Sequence, residues 1–134
     1  MKITTRYQED ELYIAENDNG NKISIDMREP GVKDSLGPVE MMLAAIAGCA
    51  SVDIVQILRK KRKDVVDLII ESTGDRKETH PRGLTKIYSK YTLVSSNTTV
   101  EAFDKIAKLA TDRYCSAADS VKAKIEITCE VKKP

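Results

Sequence analysis

The chain has 134 residues, 41% hydrophobic and 32% charged, a balance that specifies a globular fold and excludes both a disordered and a lipid-spanning chain. Its 22 Lys and Arg nearly offset 21 Asp and Glu, and a net charge of +1 excludes any general attraction to nucleic acid or anionic lipid. With no Trp, one Phe and five Tyr, the core has to be aliphatic.

No repeat, low-complexity stretch or linker interrupts the sequence, which predicts a single domain over 1-134. The apolar run Met41 to Ala50 falls well short of the roughly 18 residues that cross a bilayer. Met1-Lys2-Ile3-Thr4-Thr5 lacks the charged-then-apolar pattern of an export signal, so a cytoplasmic location is expected. In that reducing compartment the three cysteines are expected as thiols rather than as a disulfide scaffold.

Taken in chain order, Ile3-Tyr7 and Glu11-Ala15 predict two strands around a polar Gln8-Glu9-Asp10 turn. Asn17-Asp18-Asn19-Gly20-Asn21 is a second turn, because Asn, Asp and Gly tolerate positive φ. Ile23, Ile25 and Met27 alternate with Ser24 and Asp26 in a half-buried third strand. Pro30, Gly31, Gly37 and Pro38 then mark a loop, and Pro38 suits the first turn of a helix running to about Arg62. The first half of that helix is apolar on every face, which predicts burial on all sides and a second subunit to supply part of the cover. The run Arg59-Lys60-Lys61-Arg62-Lys63 sits where cations favour the helix C-terminal dipole. A nucleic-acid patch is disfavoured, since no aromatics interleave with it.

Two strands follow, Val65 to Thr73 and Leu84 to Ser95, joined by the polar segment Gly74 to Gly83. Thr99 or Asn97 is placed to cap a helix over Val100-Tyr114, with Phe103, Ile106, Ala107 and Ala110 on one face. Ser116-Ala117-Ala118-Asp119 matches a capping box and predicts a short helix just after Cys115. In the last strand Ile125, Ile127, Cys129 and Val131 face one way and Lys124, Glu126, Thr128 and Glu130 the other. The order β-β-β-α-β-β-α-α-β is an α+β pattern.

Chemistry rests with the cysteines. Cys129, on the apolar face of a strand, is expected to be a structural thiol. Cys49 lies inside the apolar helix and Cys115 at a helix junction, and composition alone leaves both open between inert core thiols and reactive ones. No CxxC spacing points to zinc, the lone His80 has no spacing to a cysteine that indicates a nucleophile pair, and no glycine-rich phosphate loop is present.

The strand meander, Gly37-Pro38-Val39-Glu40 opening an apolar helix that carries Gly48-Cys49, and Tyr114-Cys115-Ser116-Ala117 before the last strand together resemble the OsmC/Ohr family of osmotically inducible and organic hydroperoxide resistance proteins. Cys49-Ala50-Ser51-Val52-Asp53-Ile54-Val55 and the Tyr-Cys-Ser form of the second motif are more similar to its OsmC-like branch. The resemblance implies antiparallel sheets packed around a long buried central helix, in an intertwined homodimer. It further implies a thiol-dependent peroxidase in which Cys49 attacks an organic hydroperoxide, Cys115 resolves the sulfenic acid, and a dithiol reductant, of the lipoyl type among others, recycles the disulfide. No metal, other cofactor, nucleic acid or membrane is implied. In the family an arginine reaches the first cysteine and a glutamate at the helix start holds it; the corresponding residues are Arg28, supplied by the partner subunit, and Glu40, one residue later than the family position. Asp53, at i+4 from Cys49, opposes thiolate formation unless compensated. Met41, Met42, Leu43 and Ile46 are the expected apolar lining for a fatty or aromatic hydroperoxide. The alternative from another class is a non-catalytic dimeric module that binds an apolar or thiol ligand.

Overall fold

The computed structural model describes residues 1–134 and divides into two units, Met1–Met42 and Leu43–Pro134, each with its own three-stranded sheet.

In the first unit β1 (Ile3–Glu9), β2 (Leu12–Asn17) and β3 (Lys22–Asp26) form an antiparallel meander. Glu9 pairs with Leu12, so the first turn is Asp10-Glu11 and lies later than the sequence indicated. Both residues have positive φ, 41° and 59°, the backbone that a tight two-residue hairpin demands. Neither is a glycine or asparagine, which is why the turn residues are not evident in the sequence. The strain is held by a tertiary bond, Met27 N–H to the Glu11 carbonyl at 3.1 Å. The second turn follows its sequence signal: the Asn17 carboxamide accepts the amides of Asn19 and Asn21 at 3.0 and 2.9 Å, and Gly20 takes φ 81°. A short 3-10 turn at Pro30–Val32 leads to α1 (Pro38–Lys60).

In the second unit the remainder of α1 packs against β4 (Asp67–Arg76), β5 (Leu84–Val94), α2 (Val100–Leu109) and β6 (Lys124–Lys132). The element order agrees with the sequence reading. The sheet order is β4-β5-β6, antiparallel between β4 and β5 but parallel between β5 and β6, so this sheet is mixed rather than wholly antiparallel. A parallel pair needs a long crossover, and the segment carrying α2 and α3 (Ser116–Asp119) supplies it. β4 runs on past Thr73 to Arg76, with Gly74 inside the strand; a Cβ there would stand 2.5 Å from Leu84 Cδ2.

The core follows two side-chain periods. Ile87, Ser89, Tyr91 and Leu93 point inward from β5, while Phe103, Ile106, Ala107 and Ala110 are buried from α2 and the turn after it, as the period of the segment requires. From α1 only Ile46, Ala50, Ile54 and Leu58 are buried, one i, i+4 stripe. Within one chain Ala44, Ala45, Gly48 and Val52 remain exposed, Val52 at 57%, so one chain alone does not cover the helix on all sides.

Two helix ends also depart from the sequence reading. α1 stops at Lys60 because Arg62 turns to φ 57°, letting Lys63 N–H reach the Leu58 carbonyl and Arg62 N–H the Arg59 carbonyl, both at 2.9 Å. That is the Schellman ending usually made with glycine. α2, capped by Thr99 Oγ1 accepting the Ala102 amide at 3.3 Å, ends at Leu109 and passes into a π-turn over Ala110–Tyr114. Thr111 Oγ1 donates to the Ala107 carbonyl at 3.0 Å, and Cys115 N–H reaches back to the Ala110 carbonyl at 2.9 Å. A side chain bonded into the helical ladder is an established cause of such widening.

Ile54 is fully buried in the centre of the α1 stripe, so Ile54→Ala should cost about 2–5 kcal/mol. Guanidinium unfolding should show a lower midpoint with an unchanged slope; a loss below about 1 kcal/mol would contradict this core assignment.

Candidate functional site

The two cysteines far apart in sequence meet in the second unit. Cys49 lies on α1, half-buried, one position before the core residue Ala50. Cys115 is buried at the hinge between the π-turn and α3. All three cysteines are thiols.

Cys115 is held from two sides. Its Sγ accepts the Ala118 amide at 3.3 Å and thereby caps α3, and its S–H donates to the Ile46 carbonyl of α1 at 3.7 Å. The cap of this helix is therefore the cysteine itself; the Ser116 hydroxyl, expected from the capping-box pattern, is not used as the cap. A thiol is a weak cap compared with a hydroxyl, and the second bond to Ile46 is what makes the arrangement specific.

Because α3 begins at this point, its first amides converge on Cys49. The Ala117 N–H has the greatest effect, the Cys115 thiol comes next as a donor, and the Ser116 N–H adds to both; together they hold the Cys49 thiol below its ordinary value. Burial works in the opposite direction, and Asp53 raises the pKa as the i+4 spacing indicated, but it is the weakest of these influences. Cys115 is shifted the other way: burial raises it, the Ala118 amide lowers it, and the neighbouring Cys49 raises it further. One thiol is thus prepared to ionise while its neighbour keeps its single proton, which lies against the Ile46 carbonyl and is the donor available to a Cys49 thiolate.

Cys129 stands apart electrostatically. Burial first, and then the Asp104 carboxylate, push it up to about 12, which suits the structural thiol expected on the apolar face of β6. Tyr91, paired with Cys129 across β5 and β6, is fully buried and lies close to the Thr111 hydroxyl at 3.4 Å. It props the π-turn from beneath, a role that no sequence motif marks.

Within one chain Arg28 and Glu40 each have another partner. Arg28 makes a bidentate contact to the fully buried Asp26, Nε to Oδ1 at 3.0 Å and Nη2 to Oδ2 at 2.7 Å, and Nη2 also reaches Asp34 at 3.2 Å. Asp26 additionally accepts the amides of Arg28 and Asp34. The guanidinium holds the Asp26 carboxyl well below the usual carboxylate range, and Asp26 raises Arg28 in turn. Glu40 pairs with Lys33 at 3.6 Å instead, and its side chain is largely exposed. The carboxylate that holds Arg28 is therefore Asp26, which sequence reasoning missed; its place at the end of β3, two residues before an arginine, was the available signal.

Of the expected apolar lining, Ile46 is a core residue at 2% exposure and contributes its carbonyl rather than its side chain, while Leu43 packs partly against the same core. The lone histidine, His80, lies exposed in the loop between β4 and β5.

Comparison with known proteins bears on this site. Residues 31–130 match the family model described as OsmC-like protein. Protein YhfA of Escherichia coli is 30% identical over 128 residues, covering 96% of this chain and 94% of YhfA. A crystal structure of a hypothetical protein from Aquifex aeolicus superposes with TM-score 0.86 at 29% identity, covering 99% of this chain and 96% of that one. The organic hydroperoxide resistance protein OhrB of Bacillus subtilis shares the fold at TM-score 0.62 and 16% identity, over 98% and 96% of the two chains.

The thiol shifts predict an order of reactivity. A lowered pKa gives more thiolate at a given pH, so iodoacetamide at pH 7 should label Cys49 first, with Cys115 slower and Cys129 inert until strongly alkaline pH. Asp53→Asn removes an opposing charge and should move the labelling profile of Cys49 to lower pH; a shift to higher pH would contradict the site as described.

Proposed function

Because this chain belongs to the OsmC-like protein family, we propose that it is a cysteine-based peroxidase that reduces organic hydroperoxides, with Cys49 as nucleophile and Cys115 as resolving thiol. The observation that carries this reading is the juxtaposition of two thiols whose acidities are driven apart, Cys49 down through the first amides of α3 and Cys115 up through burial and the neighbouring Cys49. OhrB, with the same fold, is by name an organic hydroperoxide resistance protein.

In the first step the Cys49 thiolate attacks the terminal oxygen of the hydroperoxide. The O–O bond breaks, the alkoxide leaves and takes a proton to become the alcohol, and Cys49 becomes a sulfenic acid. In the second step the Cys115 sulfur attacks the Cys49 sulfur, and water leaves as the disulfide forms. An external dithiol then reduces the disulfide by exchange and is itself oxidised. Burial of Cys115 keeps it protonated, so it does not compete for peroxide, while its position within hydrogen-bonding reach of Cys49 favours rapid capture of the sulfenic acid.

The working unit in this reading is a homodimer. The exposed strip Ala44, Ala45, Gly48 and Val52 on α1 has no charge, and a Cβ at Gly48 would meet nothing within 4 Å in its own chain. A mid-helix glycine costs about 1 kcal/mol against alanine, and close approach of a second helix is a physical reason to retain it. Arg28 is the cation that a second subunit would bring to Cys49: Asp26 and Asp34 engage its Nε and Nη2 and leave Nη1 for another partner. Glu40, at the start of α1 and paired with Lys33 within its own chain, is the carboxylate that in this reading helps to hold the arginine arriving from the second subunit.

Peroxide consumption with a dithiol reductant tests the reading. Alkyl hydroperoxide should be consumed faster than hydrogen peroxide, and Cys49→Ser should abolish turnover, because a neutral hydroxyl does not replace a thiolate. Cys115→Ser should complete one oxidation and then accumulate sulfinic acid on Cys49 at high peroxide, visible by mass spectrometry, whereas Cys129→Ser should retain activity. A Cys49→Ser protein that turns over peroxide at the parent rate would overturn the enzymatic reading in favour of a binding module.

Sedimentation should give a dimer at micromolar concentration, and Gly48→Leu should shift it toward monomer by overfilling the close approach. A folded, stable monomer of the parent chain would remove the dimer from the mechanism.

A further inference from the structure

A cleft of about 650 Å3 lies between the C-terminal end of α1 and the face of α2, and neither cysteine lines it. Its size falls within the range of small-molecule sites, roughly 300–1,000 Å3. The floor is apolar: Ile57 from α1 and Ala102, Ile106 and Leu109 from α2. Leu109 is 41% exposed at this position, an apolar side chain left open near the buried Phe103 and Ile106 of the same helix.

The rim is cationic. Lys61, Lys63 and Lys105 surround the floor, against the single carboxylate of Glu101. Neither Lys61 nor Lys105 forms an ion pair, whereas Lys108, one turn further along α2, is paired to Asp104 at 2.7 Å. Lys63 Nζ donates to the Asn97 carbonyl at 2.8 Å, which fixes that ammonium beside the cleft with its charge unneutralised. The dipole of α1 accounts for Arg59 and Lys60 at the end of that helix. It does not account for Lys105, which stands inside α2, nor for an open apolar floor beneath three ammonium groups.

We infer that this cleft binds an anionic amphiphile of the fatty-acid class, its chain along Ile57, Ala102, Ile106 and Leu109 and its carboxylate among Lys61, Lys63 and Lys105. Each half of the ligand meets its complement: the chain removes apolar surface from water, and the head group supplies the anion that all three lysines lack within the chain. A nucleic acid is a poorer occupant, because no aromatic side chain lines the cleft to stack a base. The site is separate from the cysteine pair and does not depend on the peroxidase reading.

Calorimetric titration of the full chain with decanoate, decanol and acetate tests the assignment. Decanoate should bind, more weakly as salt is raised; decanol should bind roughly tenfold more weakly, and acetate not measurably. Leu109→Asp, at an exposed position that should leave melting unchanged, places a carboxylate on the floor and should weaken decanoate by at least about tenfold. The double variant Lys61→Gln/Lys105→Gln leaves Lys63 offset by Glu101, and should weaken it comparably and remove most of the salt dependence. Cys49→Ser should bind as the parent does, which keeps this result independent of peroxide turnover. No binding of decanoate, equal binding of decanol, or binding unchanged in both cleft variants would overturn the assignment.

Discussion

The structure around the thiols depends on how Cys115 is seated. One sulfur satisfies the free Ala118 amide at the start of α3 and donates to the Ile46 carbonyl on α1, so a single side chain fixes where a short helix begins and how it stands against a long one. The amides of Ser116 and Ala117 face Cys49 only because α3 begins there. The π-turn before Cys115 is part of the same constraint. A regular helix through Tyr114 would rotate Cys115 about its axis; widening by one residue, with Thr111 bonded to the Ala107 carbonyl, sets the direction in which the chain leaves α2.

The acidity of the two thiols follows from this seat without an additional cation inside the chain. Cys49 is half-buried and receives donors; Cys115 is buried and is itself one of those donors. The same low-dielectric surroundings therefore act in opposite net directions on neighbouring sulfurs, because hydrogen bonds to the charged form outweigh desolvation for one and not for the other. In Cys129 burial and Asp104 act together against only the charge of Lys108, and the thiol is pushed up to about 12.

Charge elsewhere is segregated in a way that the near-zero net charge conceals. Asp26, Arg28 and Asp34 form a closed polar cluster in the first unit, with the buried carboxylate satisfied by two side-chain bonds from Arg28 and the backbone amides of Arg28 and Asp34. Lysines unpaired with any carboxylate gather instead at the junction of α1 and α2, over apolar surface. The two arrangements differ in how much of the cation is engaged: Arg28 has Nε and Nη2 bonded to carboxylates, whereas these lysines meet no carboxylate.

Much of this was legible in the sequence, and the division has a physical basis. Element order, the core face of α2, the alternation of β6 and the Asn17–Asn21 turn depend on local periodicity and local turn chemistry, and those residues carry the signal themselves. The two cysteines and their surroundings were identifiable by resemblance, as was the opposing charge of Asp53, which needs only helical spacing. What the tertiary structure decided is every feature held by a distant partner. Glu11 adopts positive φ because Met27 ties its carbonyl, Arg28 pairs with Asp26 because β3 buries that carboxylate, and Cys115 caps α3 because the Ile46 carbonyl accepts its S–H as a hydrogen bond. The parallel register of β5 and β6 likewise results from a crossover whose path no local pattern specifies. Periodicity shows which face of an element is apolar, but a hydrogen bond between residues far apart in sequence exists only once the chain has folded.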